Sequence, residues 1–263
     1  MKKTVFYFVI LGFVISCKED EKVFPIEPYI EFRNLEFKDV TDPSRVDTLR
    51  LEFYFRDGDS DLGLDPTETK EPFNPKDYYS KSTGKKFRFS EDYYSEGFKN
   101  SLINKLPVLI TFKDRRTIEM DTLPKFVKPF NCKNWEVLTK NQQVIDTVYF
   151  TSNLNFHNIF IDFFIQTNAG WELFNFDSFS TYPMCEMTGF NGRFPRLENF
   201  NTTYNTGPFS IRNISKREAI MTFKMISAGF KFVFLGKKIK LKIRIQDRDF
   251  HKSNEIETSE IQF

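Results

Sequence analysis

Carboxylates recur in a pattern that suits a hard cation. In the segment Phe55-Arg56-Asp57-Gly58-Asp59-Ser60-Asp61-Leu62-Gly63-Leu64-Asp65, side-chain oxygens alternate at 57, 59 and 61, and Asp65 and Glu68 follow. Counted from Asp57, these are positions 1, 3, 5, 9 and 12 of a twelve-residue calcium loop, each an oxygen ligand of the kind calcium takes. The glycine that such a loop places at its sharp turn comes one residue late, at Gly63 behind Leu62, and the preceding residues alternate like a strand. The expectation is therefore a calcium loop of a non-EF-hand kind in a β protein, with Asp57, Asp59, Asp61, Asp65 and Glu68 as ligands. The alternative is an Asp/Gly-rich turn whose side chains bond their own backbone.

A second polar segment, Gln246 to Asn254 (QDRDFHKSN), joins two strand-like runs. It offers Asp247, Asp249 and Asn254 as further oxygen ligands, or Arg248 as the partner of an acidic loop, or simply a turn. Other chemistries have less to build on. His157 and His251 are the only histidines, which excludes a multi-histidine metal site and leaves one of these two for any His-based triad. Neither Cys132 nor Cys185 sits in a nucleophile motif. With 36 acidic residues, a carboxylate pair at glycosidase spacing is inevitable and carries no information. Tyr78, Tyr79, Tyr93, Tyr94, Trp135 and Trp171 offer rings for stacking on sugars, or serve as core and edge-strand residues.

The amino terminus carries a different chemistry. Lys2 and Lys3 precede eleven mostly apolar residues from Val5 to Ile15, a secretion-type stretch well short of the roughly 20 needed to span a bilayer. It ends in Val14-Ile15-Ser16-Cys17, which resembles the lipobox of bacterial lipoproteins. That resemblance implies a signal peptide over 1–16, a diacylated Cys17, and a tether over 17–28. Multiple acyl chains make a durable anchor where a single chain binds marginally. Lys18-Glu19-Asp20-Glu21 is similar to the surface-export signal of Bacteroidetes lipoproteins, which implies the outer face of the outer membrane. Export would put Cys132 and Cys185 in an oxidising compartment as an even pair, so a Cys132–Cys185 disulfide is the economical expectation, worth roughly 4 kcal/mol by loop entropy. Two buried thiols are the alternative.

The elements that must carry these residues read as strands. Leu49, Leu51, Phe53 and Phe55 alternate with Arg50, Glu52, Tyr54 and Arg56, and Ile239, Leu241, Ile243 and Ile245 alternate with Lys240, Lys242 and Arg244. Further strands are expected at Tyr29 to Phe37, Val108 to Phe112, Ile159 to Ile165, Trp171 to Phe176, Ala219 to Ile226, Phe230 to Phe234 and Glu255 to Phe263; Tyr93 to Leu106 is ambiguous with helix. The 33 phenylalanines mostly fall on such alternating positions, as core residues would. Charged residues are 28% of the 263, so the composition is globular. Without Lys2 and Lys3 the basic and acidic counts balance at 36 each, and the basic footprint of a nucleic-acid binder is missing. The predicted class is all-β, an antiparallel sandwich. It is either one continuous domain over 29–263 or two lobes over 29–145 and 146–263.

Three separated stretches together resemble one set of Bacteroidetes surface lipoproteins: the F-x-DGDGD-like loop at residues 55–63 with Ser60 in place of a glycine, the NGRFP segment at Asn191 to Pro195, and the DR-x-x-x-KSN-like segment from Asp247 to Asn254. The resemblance implies an immunoglobulin-like β-sandwich and no established activity. The functional expectation is a lipid-anchored, surface-exposed, non-enzymatic module that binds a glycan or another outer-membrane protein, with a structural Ca²⁺. A surface hydrolase using acidic residues on polysaccharide or peptide, and a structural component of an outer-membrane complex, are the alternatives.

Overall fold

The computed structural model describes residues 23–38, 47–117, 124–176, 189–196, 204–215, 217–226 and 230–263. The expected signal peptide, Cys17 and Cys185 lie outside them. Strands dominate, in three antiparallel sheets. In the first, β1 (Tyr29–Lys38) pairs with β2 (Thr48–Arg56), whose free edge takes β11 (Glu218–Ile226), followed by β10 (Phe209–Ser215) and β9 (Tyr204–Thr206). In the second, β7 (Ile159–Thr167) pairs with β8 (Gly170–Leu173) on one side and β12 (Lys238–Ile245) on the other, and β12 is extended by β13 (Ile256–Glu257) and β14 (Ile261–Gln262).

These two sheets share one core. Leu49, Leu51, Phe53 and Phe55 of β2 are at most 1% exposed, and they pack in the same cluster as Ile239, Leu241, Ile243 and Ile245 of β12. The two runs with the plainest period-2 pattern thus supply opposite walls, because alternation sends every second side chain to one face. Each such residue contributes roughly 1.5–3 kcal/mol on leaving water. The phenylalanine surplus is spent here: Phe163 stacks on Phe234 at 5.8 Å between centroids and 6° between planes, and on Phe230 at 6.1 Å.

Between β2 and β7 the chain builds a smaller body with its own core. Its sheet runs β4 (Lys86–Phe87), β3 (Lys76–Tyr79), β6 (Gln143–Ser152), β5 (Trp135–Lys140), with α1 (Glu96–Lys105) and α2 (Phe112–Thr117) alongside. Residue 145 lies inside β6, while β2 and β11, from either side of it, share a sheet. The chain leaving this body is tied to the chain that starts it: Asn153 Nδ2 donates to Pro72 O at 2.8 Å, and Asn153 N to Pro75 O at 3.0 Å. Cys132 is disulfide-bonded.

Two strand expectations are corrected. Phe230–Phe234 is a short helix, α3, in which Phe230 and Phe234 turn into the core and Phe232 turns out. The FKFVF pattern satisfies both a period of two and an i, i+4 pair, so the core chose. Val108–Phe112 forms only isolated bridges, Ser80 to Leu109 and Thr111 to Val148, between a 3-10 turn and α2. There Pro107 withholds a donor and Asp114 reaches back to the Thr111 N–H at 2.9 Å, which starts a helix. The ambiguous stretch is helical as α1: Ser95 Oγ caps the Phe98 N–H at 3.0 Å, and Phe98 and Leu102 are buried one turn apart.

Phe163→Ala removes the ring on which both α3 phenylalanines rest. It should lower unfolding stability by about 3–5 kcal/mol, measured as a shift in urea midpoint with unchanged slope.

Candidate metal centre

The parity of β2 makes the centre. Phe53 and Phe55 point inward, and the next residue of that parity is Asp57, which is 1% exposed. A carboxylate delivered to the end of a core needs partners. One oxygen has them: Asp57 Oδ2 accepts from the N–H groups of Asp61 at 3.0 Å and Leu62 at 3.3 Å, which folds the loop back on itself. The other, Oδ1, is buried without a hydrogen-bond donor, and so is Asp61 Oδ1. One carboxylate oxygen each from Asp57, Asp59 and Asp61 lies within 4.8 Å of the others.

The loop is tightly bounded. A Cβ at Gly58 would collide with the backbone carbonyl oxygens of Phe24 and Pro25, so the chain leading into β1 lies directly against it. The Arg56 guanidinium sits over the rings of Tyr29 at 4.5 Å and Phe24 at 5.3 Å. Ser60 takes φ +65, a left-handed conformation that glycine adopts freely and that costs serine roughly 1–2 kcal/mol. Gly63 at φ +96 packs against the backbone of Pro195 and Arg196, and Leu64 N donates to Phe194 O at 2.9 Å.

That contact carries Asp65 and Glu68 into a different network. Asp65 Oδ1 accepts from Thr67 N and Oγ1 at 3.2 and 2.9 Å. Glu68 receives Arg248 through two nitrogens at 2.7 and 2.6 Å, Arg196, and the Asp65 N–H at 2.7 Å. The five carboxylates chosen by loop spacing therefore divide three and two. Spacing counts residues along a chain, whereas Gly63 turns that chain onto a neighbour.

The charges next to the cluster come instead from the other polar segment. Asp247 is 4% exposed; its Oδ1 accepts from His251 N at 2.7 Å and its Oδ2 faces His251 Nδ1 at 2.8 Å. Burial first, then the charges of Asp59 and Asp61, push Asp57 up to about 7, with Asp247 adding to them. Burial and Asp247 are the main causes that raise Asp61 to about 6. Burial also raises Asp247, against the His251 bonds. A group of acids held above the ordinary carboxylate range by one another and by dehydration is what a cation would relieve.

The NGRFP segment completes the assembly. Arg193 donates to the carbonyls of Asp65 and Glu68, each at 2.6 Å, and reaches toward those of Phe156 and Phe73. Asn158, 2% exposed, exchanges two 2.9 Å hydrogen bonds with the Phe194 backbone, and Asn191 Oδ1 accepts from Ile161 N at 2.9 Å. In the third segment Asn254 does the same for Ile30, with both bonds at 2.9 Å, so it serves β1 as a backbone stand-in. Three stretches far apart in the chain thus meet where the large body joins the small one. Sequence reading missed Arg193, Arg196 and Asn158 as parts of this joint; the arginines of NGRFPR were the available signal.

Glu68 is opposed by burial, yet the Arg248 and Arg196 bonds bring it to about 2. Burial, then Arg193, lowers His157 to about 4. Unfolded His157 takes its proton near 6.5, so the stability it contributes is complete above that pH and is lost as the pH falls toward 4. In histidine NMR titrations one imidazole should stay neutral to about pH 4 while the other, His251, titrates above its ordinary range because Asp247 faces it; two ordinary curves would contradict this geometry. Gly63→Ala, strained at φ +96 and blocked by the Pro195 carbonyl, should cost roughly 2–4 kcal/mol in a denaturant melt.

Comparison with family models, with curated proteins and with solved structures finds no match to this chain.

Proposed function

We propose that this chain is a lipid-anchored envelope protein, facing outward from the outer membrane, whose immunoglobulin-like β-sandwich carries an inserted smaller body and acts as a binding module for a glycan or another outer-membrane protein. In this reading Asp57, Asp59 and Asp61 hold a calcium ion that braces the joint between the two bodies. The anchor rests on the Val14 to Cys17 lipobox likeness. The calcium reading is carried by one observation: two buried carboxylate oxygens, Asp57 Oδ1 and Asp61 Oδ1, lack donors within a cluster of three aspartates.

Calcium suits these donors better than the common rivals. All are oxygens, which disfavours zinc, and a bent loop with backbone carbonyls close by suits the irregular six to eight ligands of calcium better than the strict octahedron of magnesium. Raised carboxylates would also serve a hydrolase as an acid–base pair. Asp57 is 1% exposed, however, so a bond in a polysaccharide or peptide has no approach to it, whereas a single ion needs only the rim at the exposed Asp59.

At 100 times its dissociation constant a cation adds about 2.7 kcal/mol, or roughly 5–10 °C in melting temperature for a chain of this size. Calcium should raise the melt by that order, chelator should reverse it, and Asp57→Asn should remove the calcium increment; identical melts with calcium and chelator would end the metal reading. For the anchor, the expected result is fatty-acid labelling of the wild type and none of Cys17→Ala.

A further inference from the structure

We propose that a cleft in the smaller body is a saccharide-binding site. This deepens the reading of the chain as a binding module and is independent of the cation. The cleft is shallow and open to solvent, with a volume of about 540 Å³ that is within the usual range for ligand sites. One wall is sheet: Tyr79 of β3, and Tyr149 and Thr151 of β6. The other is the irregular segment before β5, with Phe126, Lys128 and Asn134.

That irregular wall is built to hold its shape. Trp135 Nε1 donates to the carbonyls of Lys128 and Pro129 at 3.1 and 3.2 Å, and Tyr149 Oη donates to Phe126 O at 2.9 Å. The disulfide at Cys132 lies in the same segment. A preformed wall lowers the ordering cost of binding. Within the cleft, the Tyr79 and Phe126 rings stand 4.9 Å apart at 48°, with Tyr149 at 5.9 Å from Tyr79, and Phe126 is 42% exposed. Phe126 and the half-buried Tyr79 present tilted rings that match the C–H faces of a pyranose, and Tyr149, 1% exposed, supports them from the core. Around it, Tyr79 Oη and Thr151 Oγ1 share one hydrogen bond at 2.8 Å and keep further donor and acceptor capacity. Asn134 spends Nδ2 on Phe150 O at 3.2 Å, which leaves Oδ1 for a hydroxyl.

Two other ligand classes fit less well. An extended peptide binds by adding to a free sheet edge, yet the backbone here is already paired: Tyr149 N to Ile110 O, Phe150 N to Asn134 O, and Ile110 N to Tyr79 O. A nucleic acid would stack on the rings too, but its phosphates need several cations, and among the described residues Lys128 is the one charged residue of the lining.

The test is an array of plant, fungal, algal and bacterial-surface oligosaccharides probed with the full chain in detergent, its disulfide intact. Hits are then titrated by calorimetry in calcium and in chelator. A saturable hit is expected, weakened at least about tenfold by Phe126→Ala and by less than about threefold by Phe126→Tyr, which keeps the ring. Because Phe126 is partly exposed, the alanine variant should fold, as circular dichroism would verify. Silence across the array overturns the proposal, as does binding that Phe126→Ala leaves unchanged. Sugar binding without a calcium effect on the melt would remove the metal centre and leave this site standing; the converse would remove only this site.

Discussion

A carboxylate buried at the end of a β-sheet core is the constraint around which this protein is arranged. Leaving an unpaired charge out of water is expensive, and a buried acid is retained only where donors, a cation or a raised affinity for a proton compensates. At Asp57 the loop supplies two N–H donors to one oxygen, and the other is left without one. The compression of residues 57–63, with Ser60 left-handed and Gly58 against the carbonyls of Phe24 and Pro25, follows from wrapping a short chain around that group. So does the crowding of Asp59, Asp61 and Asp247, each of which raises the cost of ionising Asp57.

The neighbouring joint uses the opposite sign. Arg193, Arg196 and Arg248 converge on Glu68 and on the carbonyls around it, where guanidinium groups satisfy several acceptors at once from fixed directions. The result holds the start of the smaller body to the large one without a continuous sheet between them. Arg248 also lies over Phe73 at 5.6 Å, and Phe73 packs on Phe250 at 5.7 Å, so the polar contact has an apolar flank. Asparagine side chains do related work: Asn191 and Asn254 pair with the strand backbone of Ile161 and Ile30, and Asn158, just ahead of β7, pairs with the irregular backbone at Phe194, which lets irregular segments lie against sheet edges.

The two bodies divide the labour. The large one is stiffened by stacked phenylalanines and carries the acidic cluster at one end. The small one has its own cores, around Tyr78, Phe98 and Val148 and around Trp135 and Tyr149, and offers an aromatic cleft on a wall that is pinned by side chains instead of by strand pairing. Glu68 and Arg193 lie between them, so a change at the joint reaches both.

Much of the large body was legible residue by residue. Alternation in Leu49 to Arg56 and in Ile239 to Ile245 determined both strands and their buried faces, because strand parity is a local property with a period of two. The same parity, extended one step, makes Asp57 a buried acid. The carboxylates at 57, 59 and 61 were likewise readable, since alternate residues of a tight loop stay close whatever the rest of the chain does. What tertiary structure decided is everything that depends on a neighbour distant in sequence. It sent Asp65 and Glu68 to arginines that lie over 120 residues away, made a helix of Phe230 to Phe234, inserted a second body between two strands of one core, and brought 57–63, 191–195 and 247–254 to one place. Local periodicity reports which face a side chain takes; only packing reports which face of another segment it meets.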